Sequence, residues 1–122
     1  SRVDESAPFF WPAEGTRSRI TGKFQGTKIS SSNDSIIHSV SSGKVIHECD
    51  YRNMGRMVFV ENESGYVYIY GGNNDTYVKK GDKVSPGTEI GKAYSSKSGT
   101  AVVYFSVFKD NKAIDERKAP RT

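Results

Sequence analysis

At 122 residues, 34% of them apolar, and with a net charge of +4, the chain reads as one domain able to build a core without staples. A single cysteine excludes an internal disulfide and a cysteine-rich metal site, and no apolar run approaches the ~20 residues of a membrane helix. Eighteen basic and fourteen acidic residues are spread along the chain, which argues against a nucleic-acid partner; seven Tyr, six Phe and one Trp offset the low apolar fraction.

The sequence starts at Ser1 without a Met, so it is expected to be a processed or excised piece from which a leader or anchor has been removed. Residues 1–8 are expected to form a flexible end, residues 9–115 the folded unit. Pro8-Phe9-Phe10-Trp11-Pro12 places three aromatics between two prolines, so it runs extended. It is expected to pack on the outside of a sheet, or to offer an aromatic platform to a sugar. Short strands are predicted over residues 17–24, 28–30, 35–40 and 45–49, with turns at 31–34 and 41–44. Residues 50–55 read as a loop with Arg52 and Arg56 nearby.

Residues 57–62 and 66–70 predict a hairpin through Glu63-Ser64-Gly65, with Tyr66, Tyr68 and Tyr70 on one face. Residues 71–75 read as a loop. In residues 78–92, Val78, Val84 and Ile90 recur six apart, with Gly81, Gly87 and Gly91 between or beside them. That spacing predicts short β segments broken by tight turns, each glycine free to take a positive φ and Pro86 presetting the turn at Gly87. A polar loop over 95–99, a long strand over 101–108, a turn at 109–112 and a short segment at 113–115 follow. Residues 116–122 are expected to be a solvated tail. About eight to ten short strands and no helical stripe predict an all-β fold, a small antiparallel sandwich or open barrel.

The residues offer little chemistry of their own. No Gly-x-Ser-x-Gly elbow is present, and no phosphate-binding loop precedes a helix. His38 and His47 fall on neighbouring predicted strands and could meet, but no third ligand lies at recognisable spacing.

The order of motifs is more specific. It runs Phe10-Trp11-Pro12, Gly26-x-x-Ile29, Ser42-Gly43-Lys44-Val45, Gly65-Tyr66-Val67-Tyr68-Ile69-Tyr70, then Val78-x-x-Gly81-x-x-Val84-x-x-Gly87-x-x-Ile90-Gly91, Tyr104-Phe105-x-Val107 and Asn111-x-x-x-Asp115. This order resembles the LytM/lysostaphin-like zinc endopeptidases, bacterial cell-wall hydrolases, over about Phe9 to Asp115. The part from Val78 to Gly91 is shared with biotinyl and lipoyl carrier domains, whose Met-Lys-Met hairpin this sequence lacks. The resemblance implies the duplicated hybrid motif fold. It also implies zinc held by a His-x-x-x-Asp motif and the second His of His-x-His-Phe. Two further histidines assist, one in Tyr-x-His and one opening His-x-His.

Set on this sequence, the His-x-x-x-Asp positions fall on Phe24 and Lys28. Tyr70-Gly71-Gly72 puts Gly72 at the loop histidine, and Val102-Val103-Tyr104-Phe105 puts Val102 and Tyr104 at His-x-His. Ser106 stands at the glutamate that usually follows. The resemblance then implies a pseudo-peptidase, with no catalysis, metal or cofactor. Phe24, Lys28, Tyr70, Gly72, Val102, Tyr104 and Ser106 would mark its former cleft, and Phe24 and Tyr104 could simply fill the vacated metal cavity. The expected role is a binding or regulatory module in the periplasm or another extracytoplasmic part of the envelope. Its partner would be an envelope protein such as a peptidoglycan amidase. Alternatives are peptidoglycan itself, met by the tyrosine ladder and Trp11, or a structural place in a larger envelope protein. Membrane contact would come only through a segment absent from this sequence.

Overall fold

The computed structural model describes residues 5–22, 24–51 and 53–122. Expectations that fall on residues 1–4, on Lys23 at the end of the first predicted strand, or on Arg52 lie outside the described residues. Among the described residues ten strands form: β1 (Thr16–Ile20), β2 (Gly26–Ser32), β3 (Ile36–His38), β4 (Gly43–Tyr51), β5 (Gly55–Glu61), β6 (Val67–Thr76), β7 (Lys83–Val84), β8 (Glu89–Ala93), β9 (Thr100–Lys109) and β10 (Lys112–Ile114). The fold is all-β and antiparallel, as the alternation along residues 57–62, 66–70 and 101–108 predicts. A single turn of 3-10 helix, Glu116–Lys118, ends it. No helix among the described residues is long and apolar enough to cross a membrane.

The main sheet runs β1-β2-β9-β6-β5-β4-β7, and β10 pairs with β9. The far end of β6 leaves this sheet to pair with β8, which also pairs with β3, so β6 belongs to both layers. The core lies between them. It is built from Ile29, Ile37, Val40, Val58, Val60, Tyr68, Tyr70, Ile90, Val103, Phe105 and Val107, all fully buried. Tyr70 stacks on Phe105 at 5.5 Å, and its hydroxyl accepts from the Val40 amide at 3.0 Å. Tyr68 donates to the Pro120 carbonyl. Both phenols thus keep a partner where water cannot reach them.

Several sequence expectations are corrected. The tyrosines do share a face, but it is the core face, with Tyr68 and Tyr70 at 0% exposure; no tyrosine ladder faces solvent on β6. Residues 71–75 are strand, because their backbone pairs with β9, β5 and β8, and the Asn73 side chain, donating to the Arg56 and Tyr70 carbonyls, ties β6 to β5. Gly81 and Gly87 take positive φ (99° and 94°), whereas Gly91 does not. Gly91 is buried in β8, where a Cβ would overlap Asn73 Oδ1 and the Asp75 carbonyl. The aromatic cluster covers the core and not the sheet's outer face: Phe10 is buried, and Trp11 meets Phe105 edge-on at 6.2 Å. Arg17 lies 4.6 Å over the Trp11 ring, so that face is not open to a sugar.

The tail is not solvated along its length. Glu116 is 1% exposed and accepts from Arg19 Nη1 at 2.9 Å and from the Thr27 hydroxyl. Arg121 donates from Nε to the Phe10 carbonyl at 2.8 Å and from Nη1 to the Ala119 carbonyl at 2.7 Å, with its guanidinium 4.0 Å over the Phe10 ring. Burial pulls the Arg121 guanidinium below its ordinary pKa. The tail therefore seals the open end of the core with charge-assisted bonds and a cation–π contact.

Burial pushes the Tyr70 phenol up to about 12, and burial also raises Tyr68. An unfolded phenol ionises near ~10, so this contribution to stability is whole below that pH and is lost as pH rises towards the folded value. Urea unfolding at pH 8 and pH 11.5 is expected to show an alkaline loss of about 2 kcal/mol or more. Tyr70→Phe should be less stable at pH 8 and should flatten the dependence. An unchanged alkaline slope in Tyr70→Phe would contradict the assignment.

Candidate functional site

Strand alternation sorts β9 into two sets: Ala101, Val103, Phe105 and Val107 point into the core, while Val102 and Tyr104 point outward and are half-buried. Cross-strand partners share a face, so the register Ser18–Lys28–Tyr104–Gly71 forms one row across the outer face of β1, β2, β9 and β6. Phe24 enters this row from the β1–β2 connection. Its ring meets Tyr104 edge-on at 6.0 Å and lies over Gly26, where a Cβ would crowd it.

Gly72 completes the cluster from β6. Its φ is 91°, its amide donates to the Met54 carbonyl at 2.8 Å, and a Cβ there would overlap the Val102 carbonyl oxygen. Phe24, Lys28, Gly72, Val102 and Tyr104, spread over most of the chain, thus gather around one ring. Two of the sequence-derived positions do not join them. Tyr70 points into the core, and Ser106 is buried beneath the β1–β2 connection, donating to the Gln25 carbonyl at 2.6 Å. Neither side chain reaches the groove, because β6 turns Tyr70 inward and the segment carrying Gly26 covers Ser106.

Two concavities flank Tyr104. One, of about 530 Å³, is lined by Ile20, Thr21, Phe24, Met54 and Tyr104. The other, of about 630 Å³, is lined by Gly72, Tyr94, Thr100, Val102 and Tyr104, with Asp50 at its margin. Tyr51, Asn53 and Met54 border both, so they form one groove divided by the Phe24–Tyr104 contact. Tyr51 and Tyr94, 42% and 47% exposed, had no signal in the sequence that set them apart from other tyrosines. Their place comes from the bond by which the Met54 amide donates to the Tyr51 carbonyl and from the loop at 95–99. Asn33 pins that loop, donating to the Ser96 carbonyl and accepting from its amide.

The groove does not fit the zinc that the resemblance implies. Its central residues offer an aromatic ring, an ammonium, an aliphatic side chain and a single phenol, where a zinc centre needs several imidazole or carboxylate donors converging on one point. Among the described residues no three His, Cys, Asp or Glu side chains come together to hold a metal. His38 and His47 do not meet, because β3 pairs with β8 and β4 with β5 and β7. His38 contacts Phe9 at 5.0 Å, and His47 contacts Phe59 at 5.3 Å.

Comparison with known proteins places this arrangement in a family. The sequence model of Peptidase family M23 matches residues 22–116. Outer membrane antigenic lipoprotein B of Histophilus somni is 25% identical over 112 residues, covering 88% of this chain and 33% of that protein. Murein hydrolase activator EnvC of Escherichia coli K12 is 26% identical over 114 residues, covering 87% of this chain and 27% of that protein. The chain spans about a third of the length of these curated relatives. A zinc-containing peptidase from Vibrio cholerae superposes with a TM-score of 0.74 at 23% identity, over 93% of this chain and 40% of that one, a likeness of fold.

The close approach at Gly72 has a direct consequence. Gly72→Ala is expected to cost roughly 2–4 kcal/mol in chemical denaturation, from left-handed strain plus overlap with the Val102 carbonyl. Gly99→Ala, at another positive φ but with nothing within 4 Å of a Cβ, should cost less. Equal losses in the two variants would contradict the packing argument.

Proposed function

The chain belongs to peptidase family M23, and within that family we propose that it is a non-catalytic binding and regulatory module of the cell envelope. The observation that carries this reading is the groove. It keeps the family's scaffold, while the positions the motifs assign to zinc chemistry hold Phe24, Lys28, Gly72, Val102 and Tyr104. A lone ammonium among aromatic and aliphatic groups can neither fix a metal nor activate water by one. What such a surface does well is exclude water from an apolar segment of a partner. Tyrosine suits it, giving a large rigid face and one polar tip.

The relatives support the direction of this reading. One is named a murein hydrolase activator and another an outer membrane lipoprotein, which fits a module outside the cytoplasm acting with a peptidoglycan hydrolase, an amidase being the first candidate. The exposed rings of Tyr51 and Tyr94 favour a second reading, direct binding of peptidoglycan, since flat aromatic faces can stack on sugars.

The test pairs binding with activity. The domain is titrated against peptidoglycan amidases of its own organism, each amidase's rate on purified peptidoglycan being followed. One amidase is expected to bind and to run faster, and Tyr104→Ala should weaken binding about tenfold or more, as truncation of a central aromatic does. Absence of binding, with unchanged amidase rates, would overturn the reading. Tyr104-dependent pelleting of the domain with purified cell wall in place of amidase binding would favour the second.

A further inference from the structure

Among the described residues Asp50 is the charged residue lining the groove, and Arg56 pairs with it. Lys28 differs. It is half-buried in the middle of the outer-face row, between Ser18 and Tyr104, and among the described residues its ammonium has neither a carboxylate nor a hydrogen-bond acceptor. Beside it stand Phe24 and Tyr104, with Ile20 in the same face further along β1. A lysine lays its stem along apolar surface and keeps its ammonium in water, here with no partner among the described residues. An incoming carboxylate would pair with that ammonium at the edge of apolar walls, where the attraction is stronger than in open solvent.

Asp50, at a margin of the groove, is held by Arg56, so the unmatched charge beside Tyr104 among the described residues is the Lys28 ammonium, and a carboxylate is favoured there. Next to Tyr104 lies the concavity of Ile20, Phe24, Met54 and Tyr104, with no charged residue among the described residues that line it. A single unpaired cation is far too little for a phosphate backbone, and aliphatic walls reward an apolar side chain more than a sugar ring.

Resting on the reading of this groove as a binding surface, we propose that it receives an acidic, aliphatic segment of a protein partner. An Asp or Glu carboxylate of the segment meets Lys28, and a neighbouring Leu, Ile, Val or Phe fills the concavity formed by Ile20, Phe24, Met54 and Tyr104. The charge pair fixes which way the segment lies, and the apolar anchor supplies most of the affinity.

A random-peptide display library panned against the whole chain tests this, with synthetic peptides then measured by fluorescence polarisation. Binders are expected to be enriched in Asp or Glu beside an aliphatic residue and to be lost on Tyr104→Ala. Replacing the peptide carboxylate by its amide, or Lys28 by Gln, should weaken binding about five- to tenfold, and Lys28→Glu should weaken it further and select Lys- or Arg-bearing peptides instead. Circular dichroism of the Lys28 variants should match the parent, since this side chain makes no bond within the described residues. Tyr104-dependent binders without acidic enrichment, indifferent to Lys28→Glu, would overturn the carboxylate assignment and leave the groove's binding role standing. A failure to select any Tyr104-dependent peptide, together with Tyr104-dependent pelleting on cell wall, would overturn both.

Discussion

Alternation along β9 is the constraint on which the rest of the molecule depends. The strand pairs with β2, β6 and β10, so its two faces meet most of the structure. Val103, Phe105 and Val107 turn inward, and Phe105 alone gathers the Tyr70 stack, the edge of Trp11 and the guanidinium of Arg121 at 5.7 Å. Val102 and Tyr104 turn outward and build the groove. A shift of one residue would exchange the two sets, so the buried aromatic cluster that stabilises the fold also fixes where Tyr104 stands. The groove is positioned by the core, and not by the loops around it alone.

The same geometry bears on metal chemistry in this family's scaffold. The Phe24 ring sits over Gly26 against Tyr104, and the backbone at Gly72 runs so close to the Val102 carbonyl that it admits no side chain. A histidine at Gly72 would meet that overlapping backbone, so at this position the packing of β6 against β9 itself excludes an imidazole donor. Tyr51, Tyr94 and the 95–99 loop then border a surface suited to holding a segment of another molecule, with Lys28, unpaired among the described residues, in register beside Tyr104.

Much of this was legible in the sequence, for local reasons. The alternation of residues 57–62, 66–70 and 101–108 predicts the central strands, and the spacing of Gly81 and Gly87 predicts the turns between the short ones. Motif order brought Phe24, Lys28, Gly72, Val102 and Tyr104 to one place although they are far apart in the chain. What the sequence hid depends on distant partners. Glu116 looks like tail material because Arg19, which buries its charge, is 97 residues away; the Phe10 carbonyl that holds Arg121 is 111 residues away. Gly71-Gly72-Asn73-Asn74-Asp75 reads as a loop because local propensity does not show that the Asn73 amide will bridge β5 and β6. The alternation of Tyr66, Tyr68 and Tyr70 gives a shared face but not its direction, and that direction decides whether they serve the core or a ligand.

The central claim is that this M23 domain binds and does not cut. Metal content of the purified chain after equilibration with zinc, measured together with cleavage of defined muropeptides, tests it most directly. The account predicts zinc well below one equivalent per chain and no turnover above a buffer control, with or without added metal. One tightly held zinc per chain accompanied by muropeptide cleavage would contradict it.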